Sequence, residues 1–323
     1  MRYLLIDTAN MFFRARHVVA KSVDTDTKLG LAIHVTLNSV AKVWREFKTD
    51  HVIFCLEGRS WRKDYYEPYK KNRIAARQAL TEREQEEDEL FWEVFTEFVT
   101  FLENKTNCSV IQNSVLEADD LIAGFIQNHP FDEHYIISSD SDFYQLITDN
   151  VKQYNGITDQ LITIDGIFNK KGDMVIDKKT KEPKEIPNPE WLLFEKCMRG
   201  DASDNVFSAY PRIRKNKLLE AFKDRSNKGF AWNNMMLQRW VDHNNIEHKV
   251  KDDYERNKRL IDLMEQPDDI REQMNETING ITTKKNTNVG IHFMKFCGRH
   301  NLQRLGDDAQ RFSDILNSSY SEA

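Results

Sequence analysis

Two carboxylates, Asp140 and Asp142, stand two residues apart in "ISSDSDFYQL", directly after the apolar run His134-Tyr135-Ile136-Ile137. Alone they read as turn residues. The same placement recurs, however, with Asp7 after "YLLI" and Glu57 after "HVIFCL", while Glu117, Asp119 and Asp120 cluster in "LEADDLIAGF". Asp201 and Asp204 follow the helical pattern "EWLLFEKCMRG". Each acid taken singly has a structural explanation, since Asp and Glu cap helices and meet the positive end of the helix dipole. Nine carboxylates brought to one edge would repel one another and raise each other's pKa unless cations neutralised them. Oxygen ligands without His or Cys suit Mg²⁺ or Mn²⁺, and two such ions roughly 3.5–4 Å apart are the usual device for in-line phosphoryl displacement.

The elements that must position these acids are legible as short apolar runs. Strands are predicted at Tyr3 to Ile6, His51 to Leu56, Ser109 to Ile111 and Tyr135 to Ser138, with shorter edge strands at Val151 to Tyr154 and Leu161 to Ile164. Helical stripes lie between them: Leu31, Val35, Asn38, Val40 and Val43, then Phe91, Val94, Phe95, Phe98, Phe101 and Leu102. Strand–helix alternation predicts an α/β fold, a mostly parallel central sheet with helices on both faces, whose strand C-termini share the edge where ligands bind. Residues 170–189 read as an extended loop. A helix is expected from Pro189 to Gly200, with Gly200 as a left-handed cap, and the remainder to Ala323 reads as helical, without strands.

Charge is segregated along the chain. Between Gly58 and Arg83 eight basic residues face three acidic ones, and between Glu84 and Glu103 eight acidic residues occur with no basic one. The stretch "RSWRKDYYEPYKKNR" therefore offers Lys, Arg and interleaved Trp61, Tyr65, Tyr66 and Tyr69 to a nucleic-acid strand. A second basic run, Arg212, Arg214, Lys215 and Lys217, lies in the C-terminal third. The net charge of −6 argues weakly against nucleic acid, but metals would make an anionic site attractive to phosphate. With 40% hydrophobic and 30% charged residues, no membrane-length apolar run and no signal-like start, the chain is expected to be soluble and cytoplasmic, without a membrane partner. Cys55, Cys108, Cys197 and Cys297 show no ligand spacing and read as reduced thiols.

The ordered set "LLIDTANMFFR", "EPYKKNR", "LEADDLIA", "ISSDSDFYQL" and "MRGDASDNV" resembles the 5′ nuclease superfamily of flap endonucleases and 5′→3′ exonucleases, nearest to the small replication nucleases of tailed bacteriophages, some called RNase H. The resemblance implies a PIN-like nuclease core over residues 1–205, with a helical arch at 58–90, and a helical duplex-binding lobe over 206–323. It implies metal-dependent cutting of 5′-flap, nicked or RNA-primed duplexes in DNA replication, by a monomer that can meet a single-strand-binding protein or sliding clamp. Asp7, Glu117, Asp119 and Asp140 match the first-metal set, Asp142, Asp201 and Asp204 the second, and Asp120 the extra acid of phage and bacterial members. Lys70 and Arg73 match the basic pair near the scissile phosphate, with Tyr69 and Lys71 beside them, and Arg14 matches a phosphate-contacting arginine. The sequence departs from the pattern at Glu57, where relatives usually have Asp. It departs again after Val206, where "FSAYPRIRKNK" replaces a Gly-rich hairpin. Arg212, Arg214, Lys215 and Lys217 would then supply the duplex contacts, and the lost glycines argue against a bound K⁺. Two alternatives remain: a non-catalytic DNA-structure binder with a decayed site, and a PIN-type endoribonuclease, which the chain length disfavours.

Overall fold

The computed structural model describes residues 1–15, 24–184, 186 and 188–320. The chain divides into two compact units. The sheet unit comprises Met1–Arg59, Leu80–Ile186 and Asp269–Ala323, and the helical unit Ser60–Ala79 and Pro187–Asp268. The unit boundaries thus fall at four places in the chain, whereas the sequence reading placed one, after residue 205.

In the sheet unit, β1 (Arg2–Asp7), β2 (His51–Cys55), β3 (Ser109–Ile111), β4 (Glu133–Ile137), β5 (Val151–Asn155), β6 (Gln160–Thr163) and β7 (Gly166–Asn169) form one sheet in the order β3-β2-β1-β4-β5-β6-β7. The first five strands are parallel, and β6 and β7 pair antiparallel. Six of these strands follow the predicted runs. β7 was not anticipated, because its four residues, "GIFN", show no alternation that separates them from the turn before them.

Alternation along β1 sorts its side chains by face. Leu4 and Ile6 join the core formed with helices Thr25–Phe47, Glu82–Lys105, Val289–Arg299 and Ala309–Leu316, while Tyr3 meets Phe125 of helix Ala118–Asn128 with ring centroids 4.8 Å apart. Helix Glu82–Lys105 presents Phe91, Phe95, Phe98, Phe101 and Leu102 of the predicted stripe inward, with Val94 half-buried, and burial of each such side chain contributes roughly 1.5–3 kcal/mol. Its start is fixed by a capping box, the Thr81 N–H donating to Glu84 Oε2 at 2.9 Å. The sheet order reverses at β1, whose neighbours β2 and β4 lead away in opposite directions, so the crevice at the C-terminal ends of β1 and β4 is the expected ligand position.

The helical unit packs helices Pro189–Arg199, Lys215–Asp224, Phe230–Met236 and Val250–Ile261 around Phe194, Met198, Leu218, Met235 and Val250. It also holds a hairpin, β8 (Arg239–Val241) with β9 (Glu247–Lys249), where helix alone was expected; three-residue strands reading "RWV" and "EHK" carry no strand period. Helix Pro189–Arg199 ends at Gly200 as predicted, but with φ +78° and ψ −177° rather than the left-handed helical cap expected; a Cβ there would lie 2.3 Å from the Val206 carbonyl oxygen, so glycine is required for the Asp201–Val206 bridge.

Candidate metal centre

Strand register brings the acids of the sheet unit together. Ile6 pairs with both Phe54 and Ile137, so Asp7, the residues just past Cys55 and those just past Ile137 leave the sheet at one edge. Asp7 ends β1 and is buried; its Oδ2 accepts the Ser138 hydroxyl at 2.8 Å and its Oδ1 the Asn10 N–H at 3.4 Å. Asp140 Oδ1 accepts the Asp142 N–H at 3.0 Å, which caps the short 3-10 helix Ser141–Leu146. Glu57 is exposed, and its Oε2 accepts the Ala118 N–H at 3.2 Å, at the start of the helix that carries the other three acids. Gly58 makes this approach possible. A Cβ there would meet the Asn113 carbonyl at 2.1 Å, and its own N–H donates to the Leu116 carbonyl at 2.7 Å.

Glu117 occupies the N-cap of helix Ala118–Asn128, and its N–H donates to Asp120 Oδ2 at 3.2 Å. Among the described residues, only Glu117, Asp119 and Asp120 each offer a carboxylate oxygen within 4.8 Å of one another, so this cluster can hold a metal ion. The expected capping role and the expected ligand role therefore fall on the same residues.

Electrostatics link the strand ends. Burial, followed by repulsion from Glu57, pushes the Asp7 carboxyl up to about 7; Asp140 adds to the rise, and the Ser138 and Asn10 hydrogen bonds oppose it. Between pH about 4 and 7 the folded chain thus holds this proton more tightly than the unfolded chain, so stability falls as pH rises through that window and stays lost above it. The shift corresponds to on the order of 4 kcal/mol. In EDTA, Asp7→Asn is expected to melt higher than the wild type, by a margin that grows from pH about 4 and levels off above about 7; a margin independent of pH would mean that Asp7 ionises normally.

Three residues that the sequence reading passed over hold this edge. The Ser138 hydroxyl bridges Asp7 and the Asp140 N–H, at 2.8 and 3.0 Å. Asn10 Oδ1 accepts the Ser139 N–H and hydroxyl, and Gln153 Nε2 donates to the Ser138 and Asp140 carbonyls at 2.9 and 2.7 Å. The "SSD" after a strand was the one visible signal; Asn10 and Gln153 gave none.

The remaining candidates lie in the helical unit, apart from Arg14, which is exposed in the last turn of helix Thr8–Ala15. Asp201 Oδ2 meets Lys196 Nζ at 2.8 Å, and its Oδ1 accepts the Ser203 hydroxyl. Burial tends to raise the Asp201 carboxyl, but Lys196 and Ser203 together hold it below its ordinary value. Asp204 gathers the basic segment: its carboxylate accepts the Tyr69 hydroxyl at 3.0 Å and Arg73 Nη2 at 2.5 Å, and Lys70 Nζ lies at 3.7 Å. Lys71 pairs with Glu67. The aromatic and basic run expected to face a nucleic-acid strand is partly interior. Trp61, Arg62 and Tyr69 are buried, and the Arg62 Nε–H donates to the Leu260 carbonyl at 2.8 Å, which leaves Tyr65 and Tyr66 as the accessible rings of the four. Arg212, Arg214, Lys215 and Lys217 are all exposed where helix Lys215–Asp224 begins.

The family described as 5′-3′ exonuclease, N-terminal resolvase-like domain, matches residues 2–174. The flap endonuclease of Escherichia phage T5 is 25% identical over 206 residues, 63% of this chain and 63% of that protein. Ribonuclease H of Enterobacteria phage T4 is 30% identical over 197 residues, 57% of this chain and 55% of that protein. DNA polymerase I of Rhizobium leguminosarum is 28% identical over 214 residues, 62% of this chain and 18% of that protein. The chain thus spans less than two thirds of the length of each of these relatives. Among solved structures, the bacteriophage T5 flap endonuclease in a pseudo-enzyme–product complex with DNA and metal ions matches with a TM-score of 0.55 at 16% identity, covering 97% of this chain and 100% of that one. The T5 5′-exonuclease with zinc bound matches with a TM-score of 0.60 at 18% identity, covering 86% and 98%. These structures share the fold.

Proposed function

Because the chain belongs to the 5′-3′ exonuclease family, we propose that it is a structure-specific, metal-dependent 5′ nuclease that hydrolyses phosphodiesters of 5′-flap, nicked or RNA-primed duplexes in DNA replication. The observation that carries this reading is the meeting, at one sheet edge, of Asp7, Glu57 and Asp140 with the three-acid cluster at the start of helix Ala118–Asn128.

The donor set fits divalent cations. It is made of oxygens alone, and Asp7 is raised first by burial and then by like charges that a cation would offset. Asp7, Glu57, Glu117, Asp119, Asp120, Asp140 and Asp142 of the sheet unit would hold Mg²⁺, with Mn²⁺ as substitute, and the family resemblance assigns Asp201 and Asp204 of the helical unit to a second ion. Such ions supply an activated water and neutralise charge on the scissile phosphate. An ion at Asp201 or Asp204 has to compete with Lys196 and Arg73, which already pair with these carboxylates.

The chain's own residues do the rest. Ser138 and Gln153 fix the direction of Asp7 and Asp140, and Ala118 fixes Glu57. Lys70 and Arg73 offset charge that develops on the phosphate oxygens, and Tyr69 anchors them through Asp204. Cations at the start of a helix oppose its dipole, so Arg212, Arg214, Lys215 and Lys217 there gain most from bound phosphate; we assign them, with Lys71 and Arg14, to the duplex backbone. We further propose that it acts on nucleic acid in the cytoplasm as a monomer, alongside a single-strand-binding protein or sliding clamp; among the described residues no helix is long and apolar enough to cross a membrane.

Product sizing on 5′-labelled flap, nicked and RNA-primed duplexes tests the reading. Cutting near the junction with Mg²⁺, and none with EDTA, is the expected result. A gel shift of flap DNA in Ca²⁺ without any cutting in Mg²⁺ would overturn it in favour of a binding protein.

A further inference from the structure

The segment after β7 carries Lys170, Lys171, Lys178, Lys179, Lys181 and Lys184 against Asp173, Asp177 and Glu182. All six lysines are exposed, and among the described residues none has an ion-pair partner. The register separates them into groups. β5 runs parallel to β4 and ends with Asn155 at the carboxylate edge, Asn155 pairs with Gln160 of β6, and Gln160 pairs with Asn169 of β7. Lys170 and Lys171 therefore sit on the same edge as Asp7 and Asp140. The chain then turns back, Val175 donating to the Ile167 carbonyl, so that Lys178, Lys179 and Lys181 stand at the opposite edge.

The turn 169–173 is held in place. Asn169 Oδ1 accepts the N–H groups of Lys171 and Asp173 at 2.8 and 3.2 Å, and Gly172 takes φ +81°. Asp159, whose carboxyl feels Lys170, is already paired with Lys42 and with the Tyr154 hydroxyl, so it does not cancel the charge of the turn. β7 lies three strand spacings from β4, about 14 Å, which is about four base-pair rises along a duplex.

We propose that Lys170 and Lys171 form a second nucleic-acid contact, a preset cationic turn that grips backbone phosphates about four base pairs from the scissile bond. The proposal rests on the nuclease reading above and deepens it. Phosphate contact is expected because the two lysines stand, exposed, at the same sheet edge as a metal centre that must receive the same polyanion.

The experiment is fluorescence anisotropy of a labelled 5′-flap duplex over a salt series, with Ca²⁺ in place of Mg²⁺. It compares the wild type, Lys170→Ala with Lys171→Ala, and Lys178→Ala with Lys179→Ala. The first pair is expected to weaken binding roughly three- to tenfold at low salt and to flatten the log–log salt slope by about 1 to 2, while the second pair leaves both unchanged. An unchanged slope in the first pair overturns the proposal, and so does an equal loss in both pairs, which would mark diffuse attraction. If the wild type still cuts the flap in Mg²⁺, either result removes this contact and leaves the nuclease reading standing; a wild type that neither binds nor cuts removes both.

Discussion

Asp119→Asn and Asp140→Asn should each lose at least about a thousandfold in the rate of flap cleavage at saturating Mg²⁺, while both variants stay folded in EDTA. Asp119 belongs to the cluster whose carboxylate oxygens gather within 4.8 Å, and Asp140 is one of the two acids that raise the Asp7 carboxyl. A neutral amide keeps the shape of either side chain but weakens the hold on a cation, and bound cations are asked here to supply several kcal/mol of transition-state charge stabilisation. Folding runs the other way. Removing one like charge from a crowded edge relieves repulsion, so the melting temperature without metal should hold or rise in both variants. This opposite sign separates a lost ligand from a damaged structure. Single-turnover cleavage within tenfold of the wild type by either variant would take that carboxylate out of the metal site.

What the sequence disclosed follows from how locally each feature is encoded. Asp7, Glu57 and Asp140 were visible because an apolar strand run that stops at an acid is a local pattern, and parallel strands then carry their C-termini to one edge without further information. Glu117, Asp119 and Asp120 were visible for the same reason, as acids at the start of an apolar helix. Glu57 stands where relatives usually have Asp, and its contact with the Ala118 N–H depends on a close approach at Gly58 that only the folded backbone reveals. Depth was less legible. Arg62 and Tyr69 belong to a run that reads as basic and solvated, yet both are buried, because tertiary partners, the Leu260 carbonyl and the Asp204 carboxylate, accept their polar groups. The sorting of Lys170 and Lys171 from Lys178 and Lys179 was out of reach, since it depends on the register of two antiparallel strands, one of which gave no sequence signal.

The second large effect concerns the basic pair. Lys70→Ala and Arg73→Ala are each expected to lower the single-turnover rate roughly a hundredfold to a thousandfold, with a much smaller change in flap affinity, because charge aimed at the transition state acts on the chemical step rather than on ground-state binding. Both side chains meet the Asp204 carboxylate, Arg73 at 2.5 Å and Lys70 at 3.7 Å, and Tyr69 donates to it from a buried position. Asp204 thus sets where the cations stand. Residues that share a partner do not act independently, so Asp204→Asn combined with Arg73→Ala should cost less than the two single losses added together. Arg73→Lys should recover little, since a single ammonium cannot reproduce the planar fork of a guanidinium. A purely structural role predicts something else: additive losses, a lowered melting temperature, and weakened binding in step with the rate. Measuring rate, affinity and melting on the wild type, Asp204→Asn, Arg73→Ala and their combination decides between them, and an Arg73→Ala variant that cuts at the wild-type rate would remove this residue from the chemistry.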